Sequence, residues 1–220
     1  MSSQAGPVIC LCDNDIIYKL ASCDLLDDTL KALNLTRHDV YVLPTAKYKF
    51  GITKRKISKR KQLYPPDVVT RLREFFTNVQ ELEVPGAAED LQILSGIDGI
   101  DSGEAILFAA SSRYERYLLA TGDKNSLRAL ATTAVCRPIA LKIRGHVICF
   151  EEIICRVIRH FGFSYVKEKV LSSIGCDNAL CVAFGSGRDS VEANVLAALT
   201  SYVDELRSLP VDFVVTSEAD

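Results

Sequence analysis

The chain has 220 residues, Lys+Arg 26 against Asp+Glu 28, and a formal net charge of −2. Hydrophobic residues make up 48% and charged residues 25%, which supports a buried core and excludes dominant disorder or a uniformly basic nucleic-acid coat. No apolar run reaches the ~18–20 residues of a membrane span and no basic segment followed by an apolar one opens the chain, so a soluble, cytoplasmic protein with no membrane role is expected.

Val8–Cys12 is a short bounded apolar run, the mark of a buried strand. It ends in Asp13-Asn14-Asp15, where Asp13 or Asn14 suits a helix N-cap, and passes into helical periodicity from Ile16 to Leu33. Val40–Leu43 reads as a second buried strand, followed by Pro44 and a basic stretch, Lys47–Gln62. A helix is expected from Pro65-Pro66-Asp67, because proline is tolerated in a first turn. Leu82–Val84 reads as a short extended piece and Ala87–Leu94 as a turn or two of helix. Asp101-Ser102-Gly103-Glu104 opens another helix, Tyr117–Thr121 forms a strand, and Gly122-Asp123 leads into a helix from about Asn125. Pro138–Lys142 reads as an edge strand, while Phe150–His160, Tyr165–Ile174 and Val191–Leu206 read as helices. Strands alternating with helices imply βαβ crossovers and an α/β fold with a parallel sheet.

Eight cysteines are present, with no CxxC pair, and His38, His146 and His160 fall in no zinc-finger spacing. Most of the thiols lie in apolar runs such as VICLC and VICFEEIICRVI, where a reduced cysteine packs as a small hydrophobe. Reduced core thiols are therefore expected in preference to a metal or disulfide framework.

The acids carry more information. Asp13 and Asp123 each follow a strand directly, and in an open parallel sheet ligands bind outside the carboxyl ends of strands. Asp101 and Glu104, three apart at a helix start, share one face of its first turn. Singly, each acid has a plainer reading as a helix cap or an acidic first turn. Together they form a set of hard oxygen ligands without His or Cys, which suits Mg²⁺ or Mn²⁺ and would repel without a cation.

The run VICLCDNDIIYKLA resembles the first strand and helix of PIN-domain nucleases, DSGEAILFAASS their central acidic helix, and YLLATGDKNSLRAL their late strand with its T-x-D. The likeness covers roughly residues 7–145. It implies a PIN-like, doubly wound parallel sheet flanked by helices over 1–145, with 146–220 as a mainly helical extension packing on it. It also implies metal-dependent hydrolysis of RNA, ahead of DNA, and a cognate antitoxin or self-association as the protein partner. Carried over by residue, the resemblance makes Asp13, Asp101, Glu104 and Asp123 the catalytic and metal-holding acids. It places Thr121 at the substrate, with Asp15 and Asn125 as auxiliaries. Two positions depart from the family: Asn125 stands where a further acid is frequent, and the stretch after the second strand offers Lys47 where a Glu is usual. Those departures leave a catalytically weakened PIN scaffold that binds RNA or protein as the alternative. A haloacid-dehalogenase-type phosphatase is the lesser one, since Asp13-x-Asp15 and Gly122-Asp123 match only part of its pattern.

The stretch Lys47–Gln62 carries +8 and no acid, so with a total of −2 the rest of the chain carries −10. Lys54, Arg55, Lys56, Lys59, Arg60 and Lys61 are candidate phosphate contacts, since Lys and Arg release counterions from a nucleic acid. Tyr48, Phe50 and Tyr64 flank them as candidate base-stacking rings, with core packing the competing role for Phe50. A solvated loop is the plainer reading of such a charge block.

Overall fold

The computed structural model describes residues 8–52, 64–83 and 89–215. Among the described residues, five strands, β1 (Ile9–Cys12), β2 (Val40–Val42), β3 (Gln80–Glu81), β4 (Tyr117–Ala120) and β5 (Val147–Ile148), form one parallel sheet in the order β3-β2-β1-β4-β5. The chain therefore starts at the centre and winds outward to both edges. Between β1 and β2 lie α1 (Asn14–Ser22) and α2 (Leu26–Ala32), and between β2 and β3 lie α3 (Ala46–Lys49) and α4 (Pro66–Phe75). The next two crossovers hold α5 (Glu89–Leu94) with α6 (Ser102–Ser111), then α7 (Lys124–Thr132) with α8 (Arg137–Ile143). After β5 come α9 (Phe150–Phe161), α10 (Phe163–Leu171), α11 (Asn178–Ala183) and α12 (Glu192–Arg207).

Alternation along the strands divides the core in two. Cys10 and Cys12 of β1 face Ile16, Ile17, Leu72, Phe75, Ile153, Ile154 and Leu199, which belong to α1, α4, α9 and α12. Ile9 and Leu11 face Leu107, Phe108, Leu127, Ile139 and Ile143, from α6, α7 and α8. The helices after β5 complete the first layer, while Val203 and Leu206 near the end of α12 pack in the second, and Val214 adds a parallel bridge to Val147 beyond them. Among the described residues, no helix is long and apolar enough to cross a membrane.

Four details correct the sequence reading. Pro138–Lys142 is helical, within α8, not an edge strand: the proline sits in the first turn, and Ile139, Ala140 and Ile143 bury one helical face. The edge belongs instead to β5. The expected helix from Ile16 to Leu33 is two helices, because the chain turns at Asp24 with φ of 55°, where Arg71 and Lys169 ion-pair with its carboxylate. The short extended piece near Leu82 is β3, two residues earlier. Phe50 is a buried core ring, packed against Tyr64 and Phe76, and Tyr64 is partly buried against Tyr18; of the three candidate stacking rings, Tyr48 is the exposed one.

Leu11 is fully buried between β2 and β4 at the middle of the sheet. Leu11→Ala is expected to lower the unfolding free energy by about 2–5 kcal/mol, read from the urea midpoint at unchanged slope. A loss within experimental error would show that this strand is not the centre of the core.

Candidate active site

The register of the central strands decides where the acids go. Cys12 of β1 pairs with Ala120 of β4, and the Asp13 N–H donates to the Ala120 carbonyl at 2.9 Å. Both strands therefore end side by side, at the position where the winding changes direction and a crevice opens. Asp13 leaves β1 and Thr121-Gly122-Asp123 leaves β4 into that crevice.

Each strand-end acid also begins a helix. Asp13 caps α1, its Oδ2 accepting from the Asp15 N–H at 3.2 Å. Asp123 caps α7, its Oδ1 accepting from the N–H groups of Asn125 at 2.7 Å and Ser126 at 3.1 Å. Asp101 and Glu104 form a capping box on α6: Asp101 Oδ1 accepts from the Glu104 N–H at 2.8 Å, and Glu104 Oε2 from the Asp101 N–H at 2.9 Å. A Cβ at the intervening Gly103 would stand 3.0 Å from Leu43 Cδ1 and 3.2 Å from Asp101 Oδ1, so glycine lets α6 start close against the end of β2. Every acid thus spends one oxygen on a helix start, and its second oxygen lies outside the cap.

All four line one open cavity of about 500 Å³, together with Asp15, Lys49, Gly122, Lys124, Asn125, Arg128 and Glu205. Among the described residues, six carboxylates meet three cationic side chains there, an acidic excess. Burial pushes Glu104 up to about 7, and the nearby Asp123 and Asp101 carboxylates push the same way while the Asp101 N–H opposes. Asp13 is raised by burial, against the Asp15 and Asn14 N–H groups and Lys49, which lower it. Among the described residues, no three His, Cys, Asp or Glu side chains are drawn together tightly enough to hold a metal ion; the acids share a cavity and are restrained by their caps.

The auxiliary positions divide. Asn125 lines the cavity, its Oδ1 accepting from Arg128 at 3.1 Å. Asp15 lies at the rim as an ion pair with Lys19 at 2.6 Å. Thr121 does not line the cavity: it is fully buried, and its Oγ1 accepts from the Asp123 N–H at 3.4 Å, which makes it a brace for the loop. Lys54, Arg55, Lys56, Lys59, Arg60 and Lys61 lie outside the described residues; their segment follows Ile52, three positions after Lys49 of the cavity wall. Lys47 pairs with Glu81 at 2.6 Å.

Sequence reasoning missed Lys49, Lys124, Arg128 and Glu205. Lys124 and Arg128 stand one helical turn apart directly after Asp123, a spacing that was available to read. Glu205 comes from α12 and had no local signal. It pairs with Lys124 at 3.0 Å and Arg128 at 3.2 Å, while Lys124 also lies over the Tyr202 ring. A second polar cavity, about 250 Å³ beside α2, pairs its acids with Arg37, Arg71 and Lys169 and has no such excess.

The raised Glu104 fixes a pH dependence. Between pH 4.5 and about 7 the folded chain holds a proton that an unfolded glutamate has released, so this group lowers stability as pH rises through that window. Glu104→Gln keeps an acceptor for the Asp101 N–H and removes the titration. In EDTA, its stability relative to wild type should increase across the window by on the order of 2–3 kcal/mol, measured by urea unfolding. Parallel curves would place Glu104 in an unperturbed environment. No family model, no curated protein and no solved structure matches the chain, so the chemistry of this site has to be argued from its own residues.

Proposed function

We propose that the chain is a PIN-like nuclease that hydrolyses phosphodiester bonds, in RNA ahead of DNA, with Mg²⁺ or Mn²⁺. The observation that carries this is the meeting of Asp13, Asp101, Glu104 and Asp123, from three separate crossovers, in one cavity at the carboxyl ends of β1 and β4. The strand order is compatible with the fold that the resemblance implies.

The donor set fits a hard divalent cation, because among the described residues the cavity wall offers carboxylate oxygens and neither His nor Cys. Asp13, Asp101, Glu104 and Asp123 would hold it, their uncapped oxygens drawn closer together than they stand in this structure. When bound, such an ion polarises the phosphate and lowers the pKa of a coordinated water. The protein's own contribution is orientation and charge. Capping bonds hold each carboxylate at a helix start, and Lys49, Lys124 and Arg128 oppose the phosphate's charge at the rim. The basic run of residues 54–61, next in the chain after Lys49, would supply further phosphate contacts on this reading. Among the described residues, no Ser or Cys stands on the cavity wall with a His base, so a hydroxyl or thiol nucleophile has no candidate there. The resemblance also carries a protein partner, a cognate antitoxin or a second copy of the chain.

A second reading, a weakened scaffold that binds RNA or protein, draws on the Lys47–Glu81 pair where the family places a glutamate, and on the acids' spacing. One experiment separates the two. Purified protein is incubated with labelled RNA and DNA in Mn²⁺, Mg²⁺ or EDTA, beside Asp13→Asn and Asp123→Asn. Asparagine keeps the N-cap, so folding is retained while a ligand charge is lost. Cation-dependent cleavage of RNA is expected, reduced at least about 100-fold in each variant. Binding without cleavage supports the scaffold, and equal cleavage by all three proteins would overturn the proposal.

A further inference from the structure

Cys23 and Cys176 lie 153 positions apart in the chain, yet their sulfurs stand 3.6 Å apart. Cys23 is the C-cap of α1 and fully buried; Cys176 ends the 3-10 turn Ile174–Cys176 and is partly exposed. The backbone at Cys23 is pinned. Arg71 donates to the Ala21 carbonyl at 2.9 Å and ion-pairs with Asp24 at 3.1 Å, and Lys169 donates to the Asp24 carbonyl at 2.7 Å. On the other side, Asp177 pairs with Lys19 at 2.8 Å, which ties the Cys176 turn to α1. A disulfide has an S–S length of about 2.05 Å, so the sulfurs need approach by only about 1.5 Å. The Cys23 hydrogen bond and the Lys19 charge hold the Cys176 thiol below its ordinary range, while the same hydrogen bond and burial push Cys23 up. Cys10 and Cys12, also near each other, are buried on the central strand away from solvent.

We propose that Cys23 and Cys176 form a reversible redox pair, in which a peroxide oxidises Cys176 and Cys23 resolves it into an intramolecular disulfide. The Cys176 sulfur attacks one peroxide oxygen, the O–O bond breaks, and hydroxide leaves as water with the thiol proton, giving a sulfenic acid. The Cys23 sulfur then attacks the Cys176 sulfur, forming the S–S bond and expelling hydroxide, which takes the Cys23 proton. Two thiols and one hydrogen peroxide give one disulfide and two waters. The product ties the end of α1 to the segment before α11. Neither thiol lines the acidic cavity, so the pair stands independently of the nuclease reading.

The test treats the purified full chain with stoichiometric hydrogen peroxide, alkylates the remaining thiols, and maps peptides by mass spectrometry with and without reductant. Expected are a mass lower by about 2 Da, two fewer alkylated thiols, and a linked peptide joining Cys23 to Cys176, all reversed by reductant. Cys176→Ser should abolish the link. Cys181→Ser should leave it, although Cys181 is exposed and its thiol donates to the Ile174 carbonyl at 3.1 Å. Buried Cys23 is left unsubstituted, so the linked peptide in wild type and its loss in Cys176→Ser carry the test. A link from Cys176 to Cys181, a link between two chains only, or oxygen added to thiols without any link would overturn the proposal.

Discussion

The parallel pairing of β1 with β4, with Cys12 opposite Ala120, is the constraint on which the rest depends. It sets two strand ends side by side, and the residues that follow them, Asp13 and Asp123, have no choice but to enter one crevice. The sheet order makes that crevice the place where the winding reverses, so no crossover covers it. Helix capping then adds the local orientation. An aspartate at such a junction stabilises its helix by roughly 1 kcal/mol and is thereby held in one direction. Structure and proposed chemistry ask for the same residue at the same place, which is why the plain capping role and the functional role coexist at Asp13, Asp101 and Asp123.

The electrostatics follow from this crowding. Carboxylates gathered for capping repel one another across the cavity, which Lys49, Lys124 and Arg128 offset, while burial first and the Asp123 and Asp101 charges after it raise the Glu104 carboxyl to about 7. Glu205 of α12 ties Lys124 and Arg128 back to the C-terminal helices, so the residues after β5 help shape the cavity as well as the core. The near-neutral total of −2 hides a basic stretch, Lys47–Gln62, and an acidic cavity whose carboxylates come from both sides of it in the chain.

Much of the architecture was legible because the signals were local. β1, β2 and β4 are bounded apolar runs, and the Asp101-x-x-Glu104 capping box announces α6. β3 and β5 have two residues each, too short for any periodicity to register. α8 was misread because Pro-Ile-Ala-Leu-Lys lacks polar residues at helical spacing, and only burial of Ile139, Ala140 and Ile143 shows the face. Asp13 and Asp123 were legible from their position after strands, and Asp101 and Glu104 from their spacing at a helix start; topology converts both into proximity. Lys49, Glu205 and the Cys23–Cys176 contact were not, because each depends on how distant helices pack. Thr121 matched a motif, but its hydroxyl braces the loop from inside the core.

Cation binding itself tests the central claim most directly. Calorimetric titration of wild type with Mn²⁺ near pH 7, in two buffers of different ionisation enthalpy, counts the protons released along with the affinity. Saturable binding is predicted, with release of part of a proton from Glu104 and at least about 10-fold weaker binding in Asp123→Asn. Absence of binding, or binding that neither releases a proton nor responds to Asp123→Asn, would contradict the account.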